Sequence, residues 1–440
     1  MKVSLIVTLT SIVLATLSLS SCQPAISQTS EKSRFEYSVA VIDQGRVLAG
    51  LGNCAACHTN NVDKPYAGGV SFTTPFGTLY STNITPDPDA GIGLWSLQAF
   101  TRALREGVSI DGSHLFPAFP YTHFKNLTDQ DVQALYAFVM TLEPIAERAP
   151  ENQLQFPFNL RALQVGWKLL YFDQDQRWQA SADESDSHNR GAYIAKGLGH
   201  CSACHTPRNS LGAEIDEQKY DGAVVGNWYA PALNAKQSVP IRWNETLLYN
   251  YLRVGRSDYQ GVSIGSMGEV VHQGLVLASD SDIRALSVYI NSLGDSAKST
   301  SNQGDEARAN AALAKRLITA ANRHNGTADD GHGEQLYRAA CAACHYNSAD
   351  NPKALRAELS LNSMVTANDP TNLLRIMLEG VATDKGTPGL VMPAFNALSD
   401  DDLITISQFL RVRASQPHWD NLQQQLQDMR AEGATYGDKL

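Results

Sequence analysis

Apolar positions along this chain recur with the period of amphipathic helices and seldom alternate as half-buried strands would. Three segments carry the pattern most clearly. Each opens on a hydroxyl residue followed by acids: Thr128-Asp129-Gln130-Asp131, Ser279-Asp280-Ser281-Asp282 and Ser399-Asp400-Asp401-Asp402. The hydroxyl side chain predicts an N-cap, and the acids sit on the first turn, where the helix dipole favours negative charge. Behind the first cap, Val132, Leu135, Tyr136 and Val139 share one helical face; behind the second, Ile283, Leu286, Tyr289 and Ile290 do. Upstream of each lies a shorter helical segment that contains a glycine: Gly45 to Leu51, Gly191 to Leu198 and Gly333 to Ala340. Between the two helices of each set run long stretches rich in Gly, Pro and Asn, such as Thr82 to Gly93. Loops of that length are unusual in a compact domain unless they wrap something bulky.

The repetition predicts an all-α chain of three tandem units, residues 36–143, 186–294 and 329–415. Two connectors join them. Residues 144–185 include the run Leu160 to Phe172, too apolar for a free linker and expected to pack between units. Residues 295–328 are polar and rich in Ala and Asn, and read as a looser helical tether. The polar tail, residues 416–440, suggests no role.

At the N-terminus, Lys2 precedes an apolar run from Val3 to Leu19, short for a membrane span and of the length of a secretory signal. Residues 1–21 are therefore expected to be a signal peptide. The run ends in Leu19-Ser20-Ser21-Cys22, which resembles a bacterial lipobox. Lipidation of Cys22 would make this a lipid-anchored periplasmic protein and would explain why seven cysteines leave one outside the three pairs described next. The alternative is an ordinary signal cut nearby, with Cys22 incidental.

The formal net charge is -10, from 35 basic and 45 acidic residues, and becomes 34 − 45 = −11 without residues 1–21. An acidic surface argues against nucleic acid and for docking on a basic partner face.

Each unit places Cys-x-x-Cys-His directly after its glycine-containing helix: Cys54, Cys57 and His58; Cys201, Cys204 and His205; Cys341, Cys344 and His345. One helical turn presents both sulfurs to one porphyrin edge, where they add to the vinyl groups, and the adjacent His reaches the iron. Three copies predict three covalently bound haems c. Zinc sites need four ligands, and three pairs do not divide into fours. A redox dithiol does not need a His after every pair. The second axial ligand must lie farther along each unit. Met267, in Ser266-Met267-Gly268, and Met392, in Val391-Met392-Pro393, sit in loops ahead of the closing helices, with His272 the competitor to Met267. His200, His188, His324, His332 and His418 read as ordinary surface groups, and Trp95, Trp228 and Trp243 as core or haem-edge residues.

On these motifs the chain resembles the three-haem cytochrome c subunits of periplasmic bacterial dehydrogenases over about residues 36–415. Thr82-Asn83-Ile84-Thr85-Pro86, Leu127 to Phe138, Gly166 to Phe172 and Cys201 to Arg208 also match. The family includes subunits of quinoprotein alcohol dehydrogenases and of flavin-linked gluconate or sorbitol dehydrogenases. The resemblance implies electron transfer rather than catalysis on a substrate. Electrons would pass from a catalytic subunit with an iron–sulfur or quinone cofactor to a quinone, a small cytochrome or an oxidase.

Two stretches, Phe119 to Phe124 and Met267 to Leu275, resemble more narrowly the cytochromes paired with molybdenum hydroxylases such as nicotinate and isoquinoline dehydrogenases. In the alcohol dehydrogenase branch the first unit's sixth ligand is a Met, and here Phe119 stands in its place. That leaves His123 as the expected partner of His58, with His114 or an open sixth site as alternatives. An open site would favour a haem peroxidase. A passive haem-binding or sensor protein is the third reading.

Overall fold

A computed structural model describes residues 37–294, 303–323, 331–345, 356, 358–381 and 391–437. Cys22 and the expected signal lie outside the described residues.

Helices dominate, and the predicted caps form. Ser38 Oγ accepts from the Val41 amide at the start of the opening helix Val39–Leu51, and Thr128 caps the closing helix Asp129–Val139 through the Asp131 amide. The second unit repeats the pair as Asp186–Lys196, capped by Ser185, and Asp280–Ser292, capped by Ser279. The third repeats it as Gly331–Ala340 and Asp400–Arg413, the latter capped by Ser399.

The glycine in each opening helix lies where the two helices cross. A Cβ on Gly45 would fall 1.9 Å from the Ala134 carbonyl oxygen, and one on Gly191 would fall 1.9 Å from that of Ala285. A Cβ on Gly333 would fall 2.9 Å from the Phe409 side chain and 3.3 Å from the Thr405 carbonyl oxygen, a looser crossing. Only a residue without a side chain allows backbones to approach so closely.

The first two units share one apolar core. Leu48, Leu51, Val132 and Leu135 of the first join Ile194, Leu198, Ile283 and Leu286 of the second in a single buried cluster. The third has its own, built on Tyr337, Leu374, Leu403, Ile406 and Phe409. It docks on the second unit through backbone-like pairing: Asn372 Oδ1 accepts from the Tyr229 amide and its Nδ2 donates to the Tyr229 carbonyl, both at 2.8 Å.

Three expectations change. The loops contain short antiparallel strands that the periodicity did not reveal, Ser71–Thr74 with Gly77–Tyr80 and Ala223–Val225 with Trp228–Ala230. The expected helical tether forms, as the helix Gln303–Arg323, but it is packed rather than loose: its Ala314, Ile318 and Ala321 are buried, the first two beside Ile241, Tyr259 and Leu361 between the second and third units. The tail forms the helix Leu422–Gly437, and Trp419, Leu422 and Leu426 extend the third core. Both cases follow from a few apolar side chains at helical spacing within polar segments.

The first connector also departs from expectation. Gln153–Leu154 adds a strand to the hairpin of the first unit, and the helix Leu163–Tyr171 crosses the outside of the first two units with no residue buried. No helix among the described residues is long and apolar enough to cross a membrane.

Candidate haem-attachment sites

Each Cys-x-x-Cys-His motif forms a short helix of its own: Cys54–His58, Cys201–His205 and, from its second residue, Ala342–His345. In the first two units the residue before the motif adopts a left-handed conformation, Asn53 at φ 49° and His200 at φ 32°. That break turns the motif helix away from the opening helix, so its thiols and imidazole project beside the core.

None of the six motif cysteines is in a disulfide. Burial raises the pKa of Cys54 and of Cys201 to about 12, with the neighbouring cysteine of each motif adding to the shift. A raised pKa is the opposite of the depressed thiol pKa that redox pairs use.

The imidazoles are oriented from behind. His58 Nδ1 lies 2.7 Å from the Thr82 carbonyl oxygen, and His205 Nδ1 lies 2.6 Å from that of Pro231. A carbonyl only accepts, so Nδ1 carries the proton in both rings and Nε2 keeps its lone pair. Burial lowers both pKa values and holds the rings neutral. Two thiols on one helical turn and a neutral imidazole with a free Nε2 fit a covalently attached haem whose iron takes the histidine. Among the described residues, no group of three or more His, Cys, Asp or Glu forms an alternative metal-binding cluster.

Met267 lies on the short helix Gly265–Glu269, half-buried against the shared core. Its competitor His272 is occupied elsewhere: its ring packs under the left-handed turn at Gly255, where a Cβ would fall 2.5 Å from its Nε2, and it pairs with Ser263 Oγ at 3.4 Å. Met392 is held by a two-way backbone bridge with Val381, 2.9 Å in each direction, just after the left-handed Gly380.

The first unit follows the same plan with different side chains. Tyr121 packs on Gly107 as His272 packs on Gly255. Phe119 packs edge-on against Phe124, their centroids 5.5 Å apart. His114 Nδ1 lies 3.0 Å from Lys168 Nζ.

Counted from Tyr121 and His272, His123 is the counterpart of Gly274. Gly274 lies against the backbone of Gly50, just before the first motif; His123 lies against His200, just before the second, with ring centroids 6.3 Å apart. Each unit thus inserts this position into the approach to the other's motif. His123 Nε2 is 2.7 Å from Glu214 Oε1 of the second unit. The expected ligation of the first iron together with His58 would need His123 to leave Glu214. The residue lies on a short helix, Tyr121–Phe124, whose His123 face is turned to the second unit. Burial would raise the pKa of Glu214, but its bond to His123, the His123 charge, Ser202 and Arg208 together bring it down to about 2.

Burial lifts the Cys57 pKa to about 11, and proximity to Cys204 and Glu269 adds to the shift.

Sequence reasoning missed Glu214 and Pro231, which lie in loops with no distinguishing pattern. Thr82 stood within a matching stretch, but only its carbonyl is used, and backbone groups leave no mark on sequence. Of the tryptophans, Trp243 packs against Tyr251 at 5.2 Å and Trp228 lies under Arg375 at 5.8 Å.

The motif helices and their oriented histidines define c-type cytochrome sites. A cytochrome c family model matches residues 42–143, and the model of cbb3-type cytochrome c oxidase subunit III matches residues 328–410. A nicotinate dehydrogenase subunit of Pseudomonas putida is 42% identical over 408 residues, which is 91% of this chain but 33% of that protein. The chain thus spans about a third of the length of that relative. The fructose dehydrogenase cytochrome subunit of Gluconobacter japonicus is 34% identical, covering 84% of this chain and 78% of its own. The gluconate 2-dehydrogenase cytochrome c subunit of Pantoea cypripedii is 34% identical, covering 84% and 85%. The chain belongs to the family of cytochrome c subunits of bacterial dehydrogenases.

Proposed function

We propose that this chain is an exported electron-transfer subunit with three covalent haems c, one in each of three tandem cytochrome c domains, and that it serves a catalytic dehydrogenase subunit. The observation that carries the reading is the motif helix with its imidazole tied back through Nδ1, as at His58 and His205. When bound, the haems supply one-electron carriers. The chain's own residues would attach them through Cys54, Cys57, Cys201, Cys204, Cys341 and Cys344, and would ligate the irons through His58, His205 and His345. Met267 and Met392 would supply a further ligand to the later two, where a thioether would favour reduced iron and raise the potential. His123 can serve the first only if its bond to Glu214 opens.

The favoured source of electrons is a molybdenum hydroxylase acting on an N-heteroaromatic compound. The 42% identity to a nicotinate dehydrogenase subunit across 91% of this chain supports it, together with the stretches Phe119 to Phe124 and Met267 to Leu275. The acceptor is a quinone, a small cytochrome or an oxidase. A second reading, a sugar or alcohol dehydrogenase as the source, is favoured by the fructose and gluconate relatives, which match over most of their own length. The protein acts in the periplasm, anchored by a lipid on Cys22.

A pyridine haemochrome assay with intact mass tests the haem count, and a mass gain of only two haems refutes it. Washed cells of the producing bacterium, given nicotinate, should reduce the chain's haems. Reduction by fructose, gluconate or ethanol but not by nicotinate would establish the second reading.

A further inference from the structure

Among the described residues, the connector carries a group of exposed apolar side chains that the fold itself does not use. Phe156, Leu160, Leu163, Leu169 and Leu170 are 80%, 46%, 46%, 83% and 69% exposed. No residue of the helix Leu163–Tyr171 is buried, so intramolecular packing gives no reason for its leucines. Exposed apolar side chains gathered on one short segment in this way mark an interaction site.

The helix is nonetheless pinned from beneath by polar contacts. Trp167 Nε1 donates to the Leu211 carbonyl at 3.0 Å, in the loop after His205. Lys168 Nζ donates to the Gly107 carbonyl at 2.8 Å and lies 4.8 Å from the Tyr121 ring centroid. Just ahead of the helix, Arg161 donates to the His114 carbonyl at 3.0 Å. These anchors tie the strip to the ligand loop of the first unit and the motif loop of the second. Whatever docks there lies over the flank of both sites.

Charge selects the occupant. Residues 151–186 carry six acids (Glu151, Asp173, Asp175, Asp183, Glu184 and Asp186) against three bases, Arg161, Lys168 and Arg177, a net of 3 − 6 = −3. Lys125 also borders the strip, beside the Phe172 ring, and Arg161, Lys168 and Lys125 are each tied to a carbonyl of the fold. That leaves no free basic cluster of the kind that anionic phospholipid headgroups attract. The strip suits a protein face with an apolar centre. In the nicotinate dehydrogenase relative the matching region is 33% of one longer chain, so there it stays joined to the rest of a dehydrogenase subunit, and permanent interfaces are the more apolar ones.

We propose that this connector strip is the docking face for the catalytic dehydrogenase subunit, and that electrons enter the chain beside the first and second haem sites. The proposal rests on the reading of the chain as a dehydrogenase subunit.

The test uses the full haem-loaded chain in the bacterium that makes it, with a photo-crosslinking amino acid at Leu169 or, as a control on the first unit, at Val62, which is 87% exposed. Crosslinked polypeptides are sequenced. Position 169 should capture a subunit carrying a dehydrogenase cofactor domain, and position 62 should not. A Leu169→Asp, Leu170→Asp chain should bind that captured subunit about thirty-fold more weakly, the loss typical of one interface anchor, with all haems still reducible by dithionite. Capture of the dehydrogenase at position 62 and not at 169 overturns the docking face while sparing the subunit reading. So does flotation with vesicles of phosphatidylethanolamine and phosphatidylglycerol that the double substitution abolishes while dehydrogenase association persists. If the untouched chain associates with no dehydrogenase at all, the subunit reading fails and this proposal with it.

Discussion

Replacing Gly191 by Ala tests the helix crossing on which each unit is built. In an isolated helix the change stabilises by about 1 kcal/mol. Here the new Cβ would lie 1.9 Å from the Ala285 carbonyl oxygen, whereas ordinary contact begins at 3.4 Å. The shortfall is 3.4 − 1.9 = 1.5 Å, and because the obstacle is backbone, the two helices must part. Ile194, Ile283, Leu286 and Tyr289 lie buried along that seam. A radial gap of even ~1 Å forfeits up to about half of a van der Waals contact's energy, and overpacking a tight core costs roughly 1–3 kcal/mol or more. Taking about 3 kcal/mol of loss against about 1 of gain leaves roughly 2 kcal/mol of destabilisation. The first two units share a core, so they should melt together. For a cooperative unit of that size the change lowers Tm by roughly 4–8 °C. Thermal unfolding of the oxidised haem-loaded protein, followed by helical circular dichroism, measures it. Gly166→Ala is the control, since a Cβ there meets nothing within 4 Å on the exposed connector helix, and it should leave Tm unchanged or slightly raised. If Gly191→Ala raises Tm as the control does, the crossing argument is wrong.

Met392→Ala and Met267→Ala should each abolish a thioether-to-iron absorption at the red edge of the spectrum and lower one potential; an unchanged spectrum would mean packing only. His123→Ala should leave the low-spin electron paramagnetic resonance of the ferric protein unchanged if the residue stays on Glu214, whereas loss of a bis-imidazole signal would show that it moves to the first iron. Burial brings the Lys168 pKa down from 10.5 to about 8. Below about 8 the amine is charged in both folded and unfolded chains, and the folded state bears the burial cost in full. Between 8 and 10.5 the unfolded chain holds the extra proton, so stability rises with pH. Comparison with Lys168→Met, which should lack that rise, isolates the effect, and parallel profiles would refute it. Cys22→Ser should release the protein from membranes and stop incorporation of labelled fatty acid; if wild type takes up no label, the lipobox reading is wrong.

What the sequence determines here is whatever depends on near neighbours. The Ser and Thr caps with acids behind them appear where expected, because an N-cap needs only a side chain and an amide three residues on. The motif helices likewise follow from spacing, since one turn aligns two thiols and an imidazole. The sequence also put a glycine in every opening helix, but not the reason for it, which is a backbone contact 89 residues away at Gly45 and 94 at Gly191. Such contacts decided the rest. His123 was set on Glu214, at a separation of 91 residues, and a carbonyl of Pro231 was set behind His205. The helix Gln303–Arg323 and the tail were drawn into cores by a few apolar residues within polar stretches. The apolar connector stayed outside because three polar anchors, at Arg161, Trp167 and Lys168, hold it there. Cap and motif chemistry acts over one or two helical turns and is written in consecutive residues. Pairing across ninety residues depends on how whole helices pack, and no local pattern encodes which carbonyl or carboxylate will be waiting.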